Sequence, residues 1–269
     1  MLQSTLTALK IIAIAYVLCA TFLYFAQDAL LFFPQPLPAS RNIGLQPYEL
    51  SINRNGITLK GWLQKEQISQ TKPLIIYYGG NAEEVSSLAA ESHLYSGAGG
   101  TLFMNYRGYG ASQGKPSQKA LFDDALFILD TIAAREKIPM DNIVLLGRSL
   151  GSAIAVHVAD KRAVRAVILV TAFDSILNVA QKRYPIFPIR LLLKHPFNSE
   201  ILAPNINKPL LSIVADNDEI IPKQHALNLA NKWQGPVTNV TIKNAKHNDI
   251  DNFPEYWQTI NIFIAKVSK

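Results

Sequence analysis

The sequence predicts an α/β protein, a mostly parallel sheet flanked by helices, with an N-terminal transmembrane helix and a short cap insertion. Three observations carry that prediction. From Leu74 onward, short apolar runs rich in β-branched residues alternate with helix-length amphipathic stretches, the pattern of a parallel sheet covered on both faces. The stretch Asn142–Val156 passes from such an apolar run through Gly147-Arg148-Ser149-Leu150-Gly151 into small and apolar residues at helical spacing. Between Leu9 and Ala26 the only charged residue is Lys10. A chain of 269 residues with 49% hydrophobic content can bury one large core, so one domain plus an apolar segment fits better than two domains.

The N-terminal segment reads as an uncleaved anchor, residues 1–33, with approximately 6–26 spanning. A cleavable signal peptide would carry a small-x-small site after a shorter apolar run. Here Ala26 is preceded two residues earlier by Tyr24, and Leu18 stands before Cys19 where a lipoprotein signal wants a small residue. Lys10 is the only basic residue before the span and Arg41 the first after it. The positive-inside rule therefore favours a cytoplasmic N-terminus and a domain on the non-cytoplasmic side. Phe33-Pro34-Gln35-Pro36-Leu37-Pro38 is a stiff exit, the start of a Pro-rich tether over 34–45, and the folded domain is expected over 46–269.

Along that domain, Tyr48–Gln64 alternates around Asn55-Gly56, a hairpin signal. Leu74–Tyr78 is a buried strand ending in Gly79-Gly80-Asn81, with a helix expected over Ala82–Tyr95. Thr101–Tyr106 is the next strand, followed by the turn-rich Arg107–Gly114 and a long helix from Ser117 to Glu136. Ala166–Val170, Leu210–Val214 and Val237–Ile242 read as strands, and Lys223–Trp233 and Phe253–Val267 as helices. The insertion at 177–208 is a short cap. Its Ile186, Phe187, Ile189 and Leu191–Leu193 stand among Arg183, Arg190 and Lys194. That pattern fits either a helix packing its leucines on the core or an apolar, basic rim that admits an acyl chain from the bilayer.

The Gly-x-Ser-x-Gly stretch has the context of a nucleophile elbow. A sharp strand-to-helix turn strains its central residue, so its flanks must carry almost no side chain, and it holds the Ser149 hydroxyl at the carboxyl edge of the sheet. The Leu150 backbone N–H, in the first helical turn, points where an oxyanion would form. A serine of this kind needs a base, and the base needs an orienter, in chain order serine, acid, histidine. His93, His157 and His195 come too early, and His225 reads as a solvated helix residue. His247, in the polar loop after the last strand, is the candidate base. Asp218 is the preferred acid; Asp216, nearer the strand end, reads as a turn cap and remains the alternative, while Glu219 is expected to be solvated. The second oxyanion donor is expected from the loop after Leu74–Tyr78, as the backbone N–H of Asn81. Arg107 and Asp124 read as structural partners bracing the Gly-rich turn.

These motifs, with Phe32-Phe33-Pro34, Gly80-Asn81-Ala82, Asn105–Gly114, Asp216–Pro222 and Ala245-Lys246-His247, make the chain resemble the α/β-hydrolase superfamily from Leu31 onward. Within it, the resemblance is to a membrane-anchored branch of serine hydrolases that includes protein depalmitoylating thioesterases and lysophospholipase-like enzymes. It implies the α/β-hydrolase fold, Ser149, Asp218 and His247 as triad, and Asn81 and Leu150 as oxyanion donors. Two residues depart from the family pattern: Gly79 stands where His is usual, which is expected to loosen the oxyanion loop, and Asn105 stands where Asp is usual.

The expected activity is hydrolysis of an acyl ester or thioester, lipid-linked substrates included, through an acyl-enzyme on Ser149. Amide or peptide hydrolysis, or a non-catalytic binding module on the same fold, are the alternatives. No cofactor and no metal enter this reading; the single cysteine, Cys19, allows neither an intrachain disulfide nor a cysteine metal site. The net charge of +6 is moderate, and no basic run interleaved with aromatics suggests nucleic acid. The expected partners are the substrate and the bilayer.

Overall fold

Eight strands form a single sheet in the order β1-β2-β4-β3-β5-β6-β7-β8. They are β1 (Glu49–Arg54), β2 (Ile57–Lys65), β3 (Leu74–Tyr78), β4 (Gly100–Met104), β5 (Ile143–Arg148), β6 (Ala166–Val170), β7 (Leu210–Ala215) and β8 (Val237–Ile242). The computed structural model describes residues 2–37 and 44–269; Pro38 and Arg41 lie outside the described residues. The first two strands make an antiparallel hairpin, turned by Asn55 and Gly56 at φ +52° and +78°. Both left-handed positions are what a two-residue Asn-Gly turn requires. β2 pairs antiparallel with β4, and every later pairing is parallel. β3, β4, β6 and β7 are buried at every position, because helices cover both faces of the sheet.

The helices are α1 (Leu2–Leu31), α2 (Ser86–Ala90), α3 (Gln118–Glu136), α4 (Leu150–Lys161), α5 (Ile176–Arg183), α6 (Ile189–Leu192), α7 (Ser199–Leu202), α8 (Lys223–Lys232) and α9 (Pro254–Val267). α3 starts where the Ser117 side chain accepts the Ala120 N–H and ends at Lys137 in the left-handed region, φ +54°. The expected helix over Ala82–Tyr95 is broken into α2 and one 3-10 turn, Ser92–Leu94. Side chains win the competition there. Glu83 reaches back to the Gly80 N–H, Glu84 bonds Asn105, and Asn105 accepts the Val85 N–H, so residues 81–85 turn instead of coiling.

The chain leaves β3 for β4 on one side and returns to β5 on the other. This reversal opens a crevice at the carboxyl ends of β3 and β5, where ligands bind in open α/β sheets.

α1 is the one described helix long and apolar enough to cross a membrane. Its exit is docked on the domain. Phe32 is buried against Phe197 and His195, the Phe33 N–H is shared between the Asn81 carbonyl and the Tyr109 hydroxyl, and the Gln35 carbonyl accepts the Gly110 N–H. The cap comprises α5, α6 and α7. α5 buries no residue, and Ile186 and Leu191 are 72% and 82% exposed. The expectation that the cap packs its leucines on the sheet core is corrected in part. Leu192 and Leu193 face α1 across a cavity, and Leu191 faces outward.

Candidate active site

β5 ends in Arg148 and α4 begins at Leu150, leaving Ser149 alone to make the turn at φ +50°, ψ −116°. Only tight local packing holds a non-glycine residue there. A Cβ on Gly147 would stand 2.4 Å from the Gly151 carbonyl oxygen, and one on Gly151 would stand 1.9 Å from that of Tyr78. Both glycines are therefore demanded by backbone contact between β5, α4 and the end of β3. The Ser149 N–H donates to the Val170 carbonyl, which ties the elbow to β6.

His247 follows β8 and is buried. Its Nε2 lies 3.0 Å from Ser149 Oγ, and its Nδ1 lies 2.8 Å from Asp218 Oδ2. The Asp218 side chain is 2% exposed, and its Oδ1 accepts the N–H groups of Ile220 and Ile221 at 2.9 and 2.7 Å. Those two bonds fix the carboxylate before histidine meets it. The turn-capping role expected of Asp216 thus belongs to Asp218. Asp216 is exposed and pairs with Lys223 at 2.9 Å, and exposed Glu219 lies 3.7 Å from Lys246. His225, expected to be solvated, is buried instead, because Asp174 accepts a 2.8 Å hydrogen bond from its Nδ1.

Opposite Ser149, a Cβ at Gly80 would sit 3.8 Å from that of Ser149. The Gly80 N–H is consumed by Glu83 Oε2 at 2.7 Å, leaving the next amides in the loop for other work. Asn81 is oriented from three directions: its side-chain amide donates to the Leu31 carbonyl, and its own carbonyl accepts from the Phe33 N–H and the Tyr109 hydroxyl. The Leu150 N–H belongs to the first turn of α4, where amides have no intrahelical acceptor.

Gly79 does not loosen this loop. The Tyr106 hydroxyl donates to its carbonyl at 2.8 Å, and Glu83 is itself held by the Tyr77 hydroxyl at 2.8 Å. Burial, reinforced by Glu83, raises the Tyr77 and Tyr106 phenols well above their ordinary range, and burial pushes Tyr109 up to about 12. All three stay protonated donors at neutral pH. Asn105 Nδ2 donates to Glu84 at 2.7 Å, a bond an aspartate there could not make. Arg107 and Arg54 both bind the buried Asp124 carboxylate, Arg107 through two nitrogens, as expected of a structural brace.

Two residues escaped the sequence reading. Glu83 is the clamp of the β3 loop. Arg148, the variable residue of the elbow, donates to Asp251 at 3.1 Å and to the His247 carbonyl at 3.3 Å, so it binds the loop that carries His247. Burial works against its charge, but the Glu83 and Asp251 carboxylates around it favour the charged form, and its pKa is raised. Neither has a motif; a basic residue beside the serine is the only hint the sequence offers. Among the described residues no cluster of His, Cys, Asp or Glu is arranged to hold a metal ion.

A parallel sheet with a strained serine between strand and helix, faced by a histidine on a carboxylate, defines the class of α/β-fold hydrolases. The comparisons with known proteins agree. A serine hydrolase family profile matches residues 127–266, a little over half of the chain. Human alpha/beta hydrolase domain-containing protein 17B is 30% identical over 206 residues, covering 72% of this chain and 67% of that protein. An uncharacterised Mycobacterium tuberculosis protein is 29% identical over 250 residues, covering 90% of this chain and 89% of its own. In fold, a Pyrococcus furiosus esterase superposes with a TM-score of 0.68 at 16% identity, covering 89% of this chain and all of that one. A Vibrio vulnificus α/β hydrolase gives 0.66 at 18% identity, covering 81% of this chain and 80% of that chain. The chain belongs to the serine hydrolase family of the α/β-hydrolase superfamily.

Proposed function

We propose that this serine hydrolase cleaves acyl esters or thioesters at a membrane through a covalent acyl-enzyme on Ser149. The observation that carries the reading is the continuous relay Asp218–His247–Ser149, with contacts of 2.8 and 3.0 Å in a buried setting. As the Ser149 Oγ attacks the acyl carbon, His247 Nε2 takes its proton. The carbonyl π electrons move to oxygen, and the backbone N–H groups of Leu150 and Asn81 stabilise the oxyanion. Collapse breaks the bond to the alcohol or thiol, which leaves with the proton from His247. Water, deprotonated by the same nitrogen, then attacks the acyl-serine, the acid departs, and Ser149 regains its proton. Asp218 keeps the Nδ1 proton facing it and stabilises the imidazolium without accepting the proton.

In this reading α1 spans the bilayer over approximately 6–26, the cap dips into the bilayer beside it as far as Tyr16, and the rest of the catalytic domain lies on the non-cytoplasmic side. The docked exit at Phe32–Gln35 supports a catalytic edge held close to the lipid surface. The outward Ile186 and Leu191, beside Arg183 and Arg190, support a rim in contact with anionic lipid.

Labelling with a fluorophosphonate tests the reading. The full chain should be labelled at Ser149 and Ser149→Ala should not be, while acyl esters and thioesters are hydrolysed by the former alone. A wild-type chain inert to the probe and to both substrate classes would overturn it.

A further inference from the structure

An apolar cavity of about 240 Å³ lies between the C-terminal turns of α1 and the cap. Leu23, Leu30 and Leu31 form one wall, and Ile176, Ala180 and Leu193 belong to the other. Of the polar side chains along it, Tyr24, Gln27 and Tyr184, Gln27 is spent on the protein itself. Its amide donates to the Tyr24 and Leu192 carbonyls at 2.8 and 3.0 Å and accepts the Lys194 N–H at 2.6 Å. With Gln27 so engaged, the lining is mostly aliphatic and compatible with a lipid chain.

One end of the cavity adjoins the loop that faces the serine. Leu31, the last residue of α1, gives its carbonyl to Asn81 Nδ2 at 3.2 Å, and Asn81 belongs to the loop facing Ser149. Ile176 opens α5 just beyond β6, whose Val170 carbonyl holds the Ser149 N–H. From Leu31 back to Leu23 the cavity follows α1 for about 12 Å at 1.5 Å per residue. The two walls are pinned together further along, where Tyr16 stacks on Phe187 at 5.1 Å and donates to the Ile186 carbonyl at 2.9 Å. His195 and Asp28, 2.8 Å apart, pin them at the near end.

We propose that this cavity is the acyl-chain site of the enzyme, and that the membrane helix itself forms one of its walls. The inference rests on the hydrolase reading above and specifies the substrate: an ester or thioester whose long, unbranched acyl chain enters alongside α1. A short acyl group reaches Ser149 without entering the cavity, whereas a long one buries its methylenes there. Selection for chain length is therefore a property of the α1–cap interface and not of the sheet.

The test uses the full chain in detergent or vesicles and alkyl fluorophosphonates of short and long chain, alongside acetyl and palmitoyl esters. Ala180→Phe fills the cavity from the cap, and Leu23→Phe alters it from α1. Each should lower the long-to-short ratio, in labelling rate and in kcat/KM, by about tenfold. Ile201→Phe, exposed on α7 and outside the cavity lining, is the control and should leave the ratio within about twofold. Two variants on separate elements guard against one that fails to fold, which would lose short-chain labelling as well. If long- and short-chain rates fall together in both variants, or the ratio does not move, the cavity is not the acyl site, although the hydrolase reading stands. A wild-type chain that no fluorophosphonate labels overturns both.

Discussion

The carboxyl edge of the sheet and the α1–cap interface stabilise their side chains by opposite means. At the sheet edge Ser149, Asp218 and His247 are each held by backbone contacts: a turn with two obligatory glycines, two N–H groups on one carboxylate, and a loop carbonyl bound by Arg148. At the cap, short helices present exposed apolar residues and meet α1 through few polar contacts around a cavity. The first region tolerates almost no change of shape because its atoms are defined by backbone. The second is shaped by side chains around a cavity, so a substitution there should change its volume before it changes the fold. In the proposed reading, chemistry belongs to the rigid region and chain selection to the adaptable one.

The largest expected effect lies in the rigid region. Ser149→Ala should lower turnover by about a million-fold with unchanged circular dichroism, since it removes the attachment point and little packing. Next, Asp218→Asn should cost about four decades in kcat, and Asp216→Asn less than about threefold. Steady-state kinetics of the two variants side by side checks this; equal losses would move the orienting role towards the exposed carboxylate. In the core beneath them, Leu145→Ala should lower unfolding free energy by about 2–5 kcal/mol in denaturant titration, because Leu145 is completely buried. Gly151→Ala should cost about 1–3 kcal/mol. Helix propensity favours alanine by about 1 kcal/mol, but the new methyl meets the Tyr78 carbonyl and the clash wins. The smallest effect belongs to the adaptable region: Leu191→Ser, on the exposed side of the cap, should stay within about 0.5 kcal/mol. A large loss there would show the cap to be as tightly built as the sheet edge.

Much of the sheet edge is legible from the chain alone because its demands are local. A sharp turn needs Gly147 and Gly151, a hairpin needs Asn55-Gly56, and a buried parallel strand needs an unbroken apolar run such as Leu210–Val214. Strand ends at β3, β6 and β8 coincide with the expected ones. The helix over 82–95 and the exposed His225 were misread for the same reason. Glu83, Glu84 and Asp174 take partners supplied by other elements or by the neighbouring loop, and no periodicity records those partners.

By itself, then, the sequence determined the strands, the elbow, the apolar N-terminal helix and the residue types capable of acyl transfer, since these follow from propensity, burial pattern and turn chemistry within a few residues. Tertiary structure set Asp218, the acid the sequence already preferred to Asp216, against His247, and it alone decided that Glu83 and Arg148 brace the two loops around Ser149 and that α1 closes a cavity with the cap. Each of those depends on distances between segments far apart in the chain, and such distances exist only once the sheet has brought its carboxyl ends together.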